Sequence, residues 1–324
     1  VPGKYSTQDG MEEVKKLWKS LNSHIREIDS DSHDALVTNS SHMLHIIASA
    51  LTRSILDRTD AGEQRRYYSG CATGFRDTSR IASSSPAMWR EICISNTGAI
   101  LPALDKFQYR LEEIRHTLVQ QDGEKFAELF ALGRDLRDSW LCYKKSHDLP
   151  QNIVICGIKH CGKTTVGREI AAVLDIKFAD TDECIIQRDG KQRSVREIFS
   201  AMGEDAFRKL EAEILCELTQ STEKMVIALG GGALSNPFIS NSVREKLGFK
   251  VWLDTDEGVA FERIKEKGLP PFLQNTPDPE HAFREMNKER KEVFASQCEV
   301  RCVPAATPHY TALHILSLFK DKWL

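Results

Sequence analysis

The chain has 324 residues, of which 28% are charged, and its formal net charge is only −3. This length is sufficient for two domains with separate cores. The balanced charge gives no electrostatic reason to expect nucleic acid or an anionic membrane as a partner. No apolar run approaches the roughly 20 residues that a membrane span needs, and the N-terminus has no basic-then-apolar signal pattern.

The nine cysteines are irregularly spaced and form no C-x-x-C pair. This arrangement argues against a structural zinc site and against a disulfide scaffold. We therefore expect free thiols and a cytoplasmic location. Because the first residue is Val and not Met, we also expect the chain to be a piece of a longer polypeptide.

Residues 1–143 are predicted to form an all-α helical domain. The segments MEEVKKLWKSL and HMLHIIASALTRSIL place apolar residues three and four apart, as amphipathic helices do. Ser85 and Pro86 suit the N-cap and the first position of the next helical run, in which Pro102 is expected to cause a kink or a division. A last helix is predicted at roughly 124–143.

The pattern changes at residues 144–151 (KKSHDLPQ), which are predicted to be a linker. Over residues 152–324, the short β-rich runs IVIC, IKFA, MVIAL, FKVWL and EVRCV alternate with helical segments. This alternation predicts an α/β domain with a parallel sheet flanked by helices.

A phosphate-binding loop is predicted at residues 157–164 (GIKHCGKT), which fit G-x-x-x-x-G-K-[ST] between a strand and a helix. In such a loop, backbone N–H groups hold the phosphates of ATP, Lys163 reaches the β- and γ-phosphates, and the Thr164 hydroxyl binds Mg²⁺. The predicted nucleotide-binding residues of the loop are Gly157, Gly162, Lys163, Thr164 and Thr165.

Two carboxylates, Asp180 and Asp182, follow the second predicted strand. Residues two apart on an extended chain project to the same side, so we expect both beside the phosphate loop, at the carboxyl edge of the sheet. Two like charges need a cation or a hydroxyl donor between them. Asp180 is therefore predicted to bind Mg²⁺ and Asp182 a substrate hydroxyl; the alternative is a solvated turn with helix-capping acids.

A charged pair and three glycines come next. Arg208 and Glu211 lie one turn apart on one predicted helix, where an ordinary surface ion pair is the alternative interpretation. Three consecutive glycines at 230–232 follow the strand MVIAL and lose much conformational freedom on folding. Because a plain tight turn needs only one or two glycines, we expect the backbone to approach a ligand there.

Four motifs occur in this order and at this spacing: the phosphate loop, D-T-D, G-E-x-x-F-R-x-x-E and G-G-G. Together they resemble shikimate kinase over about 170 residues. The resemblance implies transfer of the ATP γ-phosphoryl group to the 3-hydroxyl of shikimate, in aromatic amino-acid biosynthesis. It implies that Lys163 and Asp182 are catalytic, with Asp182 accepting the proton of the attacking hydroxyl. Arg208 would bind the shikimate carboxylate and Glu211 would orient Arg208.

The resemblance also assigns residues elsewhere in the domain. It implies that Gly231 and Gly232 offer backbone N–H groups to the substrate, that Arg290 is a second carboxylate-binding arginine, and that Arg263 lies against adenine. One feature departs from the family. The lid of the family carries Arg-Pro-Leu-Leu, whereas residues 268–273 here read GLPPFL, so the lid arginine is missing. Lys265 or Lys267 could supply a charge but not a bidentate contact.

Two alternatives stay open for the kinase half. The first is a phosphate-loop kinase of another small hydroxy acid, such as gluconate; the paired arginines Arg208 and Arg290 argue against it. The second is a non-catalytic kinase-like module attached to a dehydrogenase dimerisation domain. The missing lid arginine favours that module, whereas Lys163, Asp180 and Asp182 oppose it.

Three segments of the helical half, SSHMLH, GFRDTSRIA and SPAMWR, resemble the helical C-terminal domain of prephenate (or arogenate) dehydrogenase. The resemblance implies a homodimer formed through this domain, with His42, His45 and Arg80 on the prephenate side; simple packing is the alternative for the two histidines. The chain has no dinucleotide-binding fingerprint, so we expect no dehydrogenase activity. Both resemblances point to aromatic amino-acid (tyrosine) biosynthesis and hence to a fusion.

Overall fold

The structure, a computed structural model, describes residues 1–3, 5–23, 25–145, 149, 151–191, 193–266, 268–269, 273 and 276–319. Its residues form two compact units, Val1–Phe126 and Ala127–Leu324. The division falls inside a helix, ahead of the predicted linker at 144–151, part of which lies outside the described residues. The domain ranges 1–143 and 152–324 therefore stay predictions.

The first unit is helical throughout its described regular structure, which confirms the predicted all-α class for this half. Its helices are α1 (Gln8–Ser20), α2 (Ser30–Val37), α3 (Met43–Leu56), α4 (Ala61–Gly70), α5 (Thr73–Ser79), α6 (Pro86–Ser95) and α7 (Thr97–Val119). A π-helical turn at Thr38–His42 joins α2 to α3. Ser85 caps α6 with Pro86 in its first turn, as predicted; the side chain satisfies an N–H group that has no partner within the helix.

We expected the long helical run after Pro86 to kink or divide at Pro102. It divides at Asn96 instead. Asn96 separates α6 from α7, and its Nδ2 donates to Thr38 Oγ1 at 2.8 Å and to the Asp34 carbonyl at 3.2 Å. Helix α7 continues through Pro102. Proline in the second turn of a helix removes one hydrogen bond, and the rest of α7 retains its own. The tertiary contacts of Asn96 therefore decide where the run divides.

The second unit contains a five-stranded parallel sheet, and all five predicted strands are confirmed. The strands are β1 (Ile153–Cys156), β2 (Lys177–Asp180), β3 (Met225–Ala228), β4 (Phe249–Leu253) and β5 (Val300–Cys302), in the spatial order β2-β3-β1-β4-β5. The helices of this unit are α8 (Gly123–Lys144, from Ala127 onward), α9 (Lys163–Leu174), α10 (Thr181–Asp189), α11 (Val195–Met202), α12 (Glu204–Gln220), α13 (Asn241–Lys246), α14 (Glu257–Glu266), α15 (Pro279–Gln297) and α16 (Pro308–Ser317).

The sheet brings three loops to one edge. Strand β1 lies between β3 and β4 with all four residues buried, as its unbroken apolar sequence requires. The register pairs Ile155 with Ala228 and Ala228 with Asp180. Because the strands are parallel, the segments that follow β1, β2 and β3 leave the sheet side by side. In an open α/β sheet this carboxyl edge is where ligands bind.

The second half of α8 belongs to the kinase unit by its contacts. Cys142 is buried in the same apolar core as β1 and β4, and Asp135 lies 2.8 Å from Nδ1 of His314 on α16. All nine cysteines are unpaired, as predicted. Among the described residues, no helix has both the length and the apolar content that crossing a bilayer requires.

Candidate active site

The phosphate loop joins β1 to α9 and its glycines are required by geometry. Gly157 has φ 149°, and a Cβ there would lie 2.7 Å from Cys161 Sγ and from the Leu253 carbonyl oxygen. Gly162 has φ 103° and precedes α9 directly. Within the described residues, the N–H groups of Gly162, Lys163 and Thr164 have no hydrogen-bond partner. Such free N–H groups at a helix N-terminus form an anion-binding site.

Lys163 is held against its own loop. Its Nζ donates to the carbonyl oxygens of Gly157 at 3.1 Å and Ile158 at 2.9 Å. The side chain is half-buried and lines the cavity described below. The ammonium therefore lies beside the free N–H groups of the loop, in the position from which it can bind the same phosphates.

Thr164 and Asp180 are in direct contact: Thr164 Oγ1 donates to Asp180 Oδ2 at 2.6 Å. The other carboxylate oxygen, Oδ1, accepts from the N–H groups of Asp182 at 2.9 Å and Glu183 at 3.4 Å, so Asp180 caps α10. The capping role that we had assigned to the alternative is therefore present. The solvated turn of that alternative is wrong, because Asp180 is buried.

Asp180 and Asp182 lie together for a different reason from the one that the sequence suggested. Only Asp180 is on a strand; Asp182 lies in the first turn of α10. The two carboxylates are neighbours because one caps the helix on which the other lies, and not because an extended chain directs them alike. Burial, and then the charge of Asp180, raise the pKa of Asp182, while Lys163 and Lys159 oppose that rise.

Arg208 is held by several groups of the chain, among them Gly232, Glu211 and Asn236. Its Nη1 donates to the Gly232 carbonyl at 3.0 Å and lies 3.6 Å from Glu211 Oε2. Glu211 is only 3% exposed, and burial raises the pKa of its carboxyl despite the nearby Arg208. Asn236 donates from Nδ2 to Glu211 Oε2 at 2.9 Å and to the Arg208 carbonyl at 2.7 Å. The pair is thus built into the site, and the surface ion-pair alternative is wrong.

The glycine segment 230–232 is closely approached by other side chains of the same chain. A Cβ on Gly230 would lie 3.0 Å from Glu211 Oε1, and one on Gly232 would lie 2.8 Å from Arg208 Nη1. Gly231 has more room, with nothing nearer than 3.7 Å. The N–H groups of Gly231 and Gly232 have no hydrogen-bond partner in the part of the chain that the structure describes. They are available to a ligand, and their role in substrate binding stays a prediction.

Two further arginines border the site. Arg290, on α15, has no hydrogen bond or ion pair to any described residue, and burial, followed by the charge of Arg208, lowers the pKa of its guanidinium. Arg263, on α14, donates to the carbonyl oxygen of His160 in the phosphate loop at 3.2 Å. Arg208 and Arg290 therefore lie together near one end of the loop, and Arg263 borders the loop itself.

A cavity of about 890 Å³ collects these groups. The predicted kinase residues that line it are Gly162, Lys163, Thr164, Thr165, Asp180, Asp182, Arg208, Glu211, Gly231, Gly232, Arg263 and Arg290. Gly157 is not among them but accepts the bond from Lys163. The volume is within the usual range for small-molecule sites. All the predicted kinase residues except Gly157 therefore line one cavity, and their roles stay predictions.

Several residues of the site were not predicted. Asn236, fully buried, holds Glu211 and Arg208, and no local pattern in the sequence indicates this. Lys159 and Arg196 also line the cavity. The apolar lining includes Val195, Phe199 and Phe207. The first two lie four apart on α11, and this spacing could have indicated one face of a helix.

The lid is only partly described: Lys267 and residues 270–272 lie outside the described residues. Lys265, one of the two suggested replacements for the lid arginine, is ion-paired with Glu262 and lies 5.3 Å from the ring of Phe261. It does not line the cavity.

In the first unit, the suggested prephenate-side histidines contact an indole. His45 stacks on Trp89 with 3.8 Å between the ring centroids, and His42 meets the edge of the same ring at 5.9 Å. His42 Nδ1 also lies 3.1 Å from Nδ2 of Asn96. Arg80 is exposed and has no partner among the described residues. The contacts support the packing alternative for the two histidines, and their role in ligand binding stays a prediction.

A parallel sheet with a phosphate-binding loop after its central strand, next to an acid and two arginines in one cavity, defines a P-loop phosphotransferase. The family profile described as "Shikimate kinase" matches residues 159–318. The shikimate kinase of Novosphingobium aromaticivorans is 35% identical over 176 residues, which are 53% of this chain and 88% of that protein. The chain belongs to the shikimate kinase family.

A solved structure, the shikimate kinase of Acinetobacter baumannii in complex with shikimate, is 30% identical, with a TM-score of 0.47; the match covers 54% of this chain and 95% of that one. The helical half matches a second family, described as "Prephenate dehydrogenase, dimerization domain", over residues 29–132. The prephenate dehydrogenase of Bacillus subtilis is 35% identical over 143 residues, 43% of this chain but only 37% of that protein. The chain is therefore similar to a fusion of a partial dehydrogenase with a shikimate kinase.

Proposed function

We propose that the second unit transfers the γ-phosphoryl group of ATP to the 3-hydroxyl of shikimate, giving 3-phosphoshikimate and ADP. The convergence of Asp182, Arg208 and Arg290 with the phosphate loop on one cavity carries this proposal. An acid next to a pair of arginines suits a substrate that has both a hydroxyl and a carboxylate group. Gluconate kinase activity is the less favoured alternative.

At the nucleotide end, the free N–H groups of the loop and Lys163 bind the β- and γ-phosphates, and Arg263 lies against the adenine. Thr164 Oγ1 and Asp180 Oδ2, which lie 2.6 Å apart, are oxygen donors of the kind that Mg²⁺ prefers and would hold it at this end of the site. No group of three or more acidic, cysteine or histidine side chains that could hold a metal occurs among the described residues. Mg²⁺ would therefore complete its coordination with phosphate oxygens and water, as it commonly does.

At the acceptor end, Arg208 and Arg290 bind the shikimate carboxylate, while Glu211 and Asn236 hold Arg208. Asp182 accepts the proton as the hydroxyl oxygen attacks phosphorus and the bond to the ADP oxygen breaks. The N–H groups of Gly231 and Gly232 donate to the substrate. The protein thus works by positioning its substrates and by stabilising charge, which is how phosphoryl transfer is generally catalysed.

The proposal is tested by measuring ADP release from the purified chain with ATP and Mg²⁺, using shikimate, gluconate or no acceptor. We expect release to be strongly stimulated by shikimate only. Stimulation by gluconate alone would favour the other kinase class. Nucleotide binding without turnover would favour the non-catalytic module.

Arg208→Lys is expected to weaken shikimate binding while leaving ATP binding nearly unchanged. Lysine keeps the charge but cannot hold the Gly232 carbonyl and a carboxylate with one planar group. Loss of a charge-assisted hydrogen bond costs about 1.5–3 kcal/mol, or roughly a 10- to 150-fold change in the dissociation constant. Binding of both ligands is measured by calorimetry.

Arg188→Lys is a matched control for Arg208→Lys. Arg188 is on α10, outside the cavity, and is ion-paired with Glu217. This control should change neither affinity. An equal loss of shikimate and ATP affinity in Arg208→Lys would indicate that Arg208 maintains the fold of the site and does not bind the substrate itself.

The helical unit is proposed to make the chain a homodimer. The match to a dimerization domain supports this, as do apolar side chains exposed along α7: Leu101, Tyr109, Leu111, Leu118 and Val119. Exposed apolar surface of this kind commonly marks an interface, and a twofold dimer is the commonest assembly. Light scattering of the full chain should give the mass of two copies.

Leu111 and Leu118 are seven residues apart and so share one helix face. The double variant Leu111→Glu, Leu118→Glu is expected to be monomeric and to retain kinase activity, because both changes lie in the first unit. A monomeric wild-type chain would contradict the dimer. We also propose a cytoplasmic location, which the nine unpaired cysteines support.

A further inference from the structure

The cavity has more cationic than acidic side chains, and the excess is concentrated around Lys159. Its cations are Lys159, Lys163, Arg196, Arg208, Arg263 and Arg290, and its acids are Asp180, Asp182, Glu211 and Glu266. Arg208 is ion-paired, and Lys163 is bound to carbonyl oxygens. In contrast, the side chains of Lys159, Arg196 and Arg290 have no hydrogen bond or ion pair to any residue that the structure describes.

Lys159 lies where the phosphate loop meets the glycine segment. A Cβ on Gly231 would lie 3.7 Å from the backbone nitrogen of Lys159 and 3.7 Å from Nη1 of Arg290. Arg196, Asp182, Lys163 and Arg290 line the same cavity, and their charges act on the Lys159 ammonium. Because Lys163 marks the phosphate end of the site and Asp182 the acceptor end, Lys159 lies at their junction.

This group of cations is unfavourable unless an anion is bound. Burial, followed by the charge of Arg196, lowers the pKa of the Lys159 ammonium, and the charge of Asp182 opposes the shift. The substrate carboxylate is assigned to Arg208 and Arg290, so it does not neutralise Lys159 and Arg196. A phosphoryl group that moves from the loop toward Asp182 would provide a counter-charge.

We propose that Lys159 is a further catalytic residue, whose ammonium binds the phosphoryl group during its transfer and then binds the phosphate of the product. The inference rests on the proposed function. The acceptor oxygen–phosphorus bond forms, the bond to the ADP oxygen breaks, and the hydroxyl proton goes to Asp182. Lys159 remains protonated throughout. Residues 268–273 contain no arginine. Lys159 would supply the missing positive charge from the phosphate loop.

The test compares Lys159→Met and Lys159→Arg with Lys224→Met. Methionine keeps the length of the side chain without its charge. Lys224 is exposed, lies outside the cavity and precedes β3, at the opposite edge of the sheet. For Lys159→Met we expect kcat to fall by about 10- to 100-fold, as on removal of one charged donor to a transition state. The KM values for ATP and shikimate should change by less than about threefold.

Direct binding gives the second readout. Lys159→Met should bind 3-phosphoshikimate about tenfold more weakly and shikimate as tightly as the wild type, because only the product has the phosphate. Lys159→Arg should recover most of kcat, since it restores the charge, and Lys224→Met should match the wild type. A merely structural role for Lys159 would not separate product from substrate affinity.

Three outcomes would count against the inference in distinguishable ways. An unchanged kcat in Lys159→Met, with an active wild type, overturns it. Equal loss of shikimate and 3-phosphoshikimate affinity also overturns it, because Lys159 would then bind the part that both molecules share. A wild-type chain that does not phosphorylate shikimate overturns the proposed function itself, and this inference falls with it.

Discussion

Lys163→Ala is expected to reduce phosphoryl transfer by more than about 10²-fold and to leave the fold intact. Its ammonium is aimed at the phosphates whose negative charge redistributes during transfer, and removal of one such preorganised donor commonly costs 10²- to 10³-fold in rate. The measurement is ADP release with saturating ATP and shikimate. The free N–H groups of the loop remain in this variant, so nucleotide binding should weaken much less than turnover.

The fold should survive because Lys163 makes only replaceable contacts within the protein. Its bonds are to the carbonyl oxygens of Gly157 and Ile158, and the side chain is half-buried, so water can replace the ammonium. Lys177→Ala, which removes an exposed lysine paired with Glu223, is the matched control and should keep full activity. Substantial turnover in Lys163→Ala, with an unchanged thermal midpoint, would exclude the proposed mechanism.

Strands β1 and β3 could be predicted from the sequence because each is a short, unbroken apolar run, whereas β2, β4 and β5 include charged residues and were indicated by their alternation with helical segments. The runs IVIC and MVIAL are buried on both faces, and this double burial is what makes a parallel strand visible in a sequence. The division of the helical run at Asn96 was not predictable in the same way. It depends on contacts with Thr38 and the Asp34 carbonyl, about 60 residues away in the chain.

The site shows the same distinction. Lys163, Asp182 and Arg208 could be found because the chemistry of phosphoryl transfer restricts residue types at fixed spacings. Asn236 could not, because its function is to hold Glu211 and Arg208 and many sequences could place an amide there. The predicted reason for Asp180 and Asp182 lying together was wrong because helix α10 begins at Thr181, inside the D-T-D segment, and ends the extended conformation there.

The three glycines were explained only in part by the sequence. We expected close approach of a ligand, yet Gly230 and Gly232 are already closely approached by Glu211 and Arg208. Their lack of a side chain lets the arginine lie across the segment and donate to the Gly232 carbonyl. The glycines therefore position a binding residue as well as exposing N–H groups, and only tertiary structure could reveal the first of these two functions.

Asp182→Asn is expected to lower kcat by about 10²- to 10⁴-fold, the usual contribution of a general base, without a loss of stability. The amide has nearly the same shape, but it cannot accept the hydroxyl proton as the carboxylate does. Shikimate and ATP dissociation constants should change little, because Arg208, Arg290 and the loop are unaltered. ADP release and calorimetry measure these two quantities.

The thermal stability of Asp182→Asn shows whether Asp182 acts as a base or holds the site together. Burial and the charge of Asp180 raise the pKa of Asp182, so the folded protein disfavours the ionised form, and a neutral amide relieves that cost. The thermal midpoint of Asp182→Asn in metal-free buffer at neutral pH should therefore equal or exceed that of the wild type. Asp175→Asn, at an exposed left-handed position before β2, is the control and should keep full activity. A lower midpoint together with weaker binding of both substrates would mean that Asp182 holds the site together and is not its base.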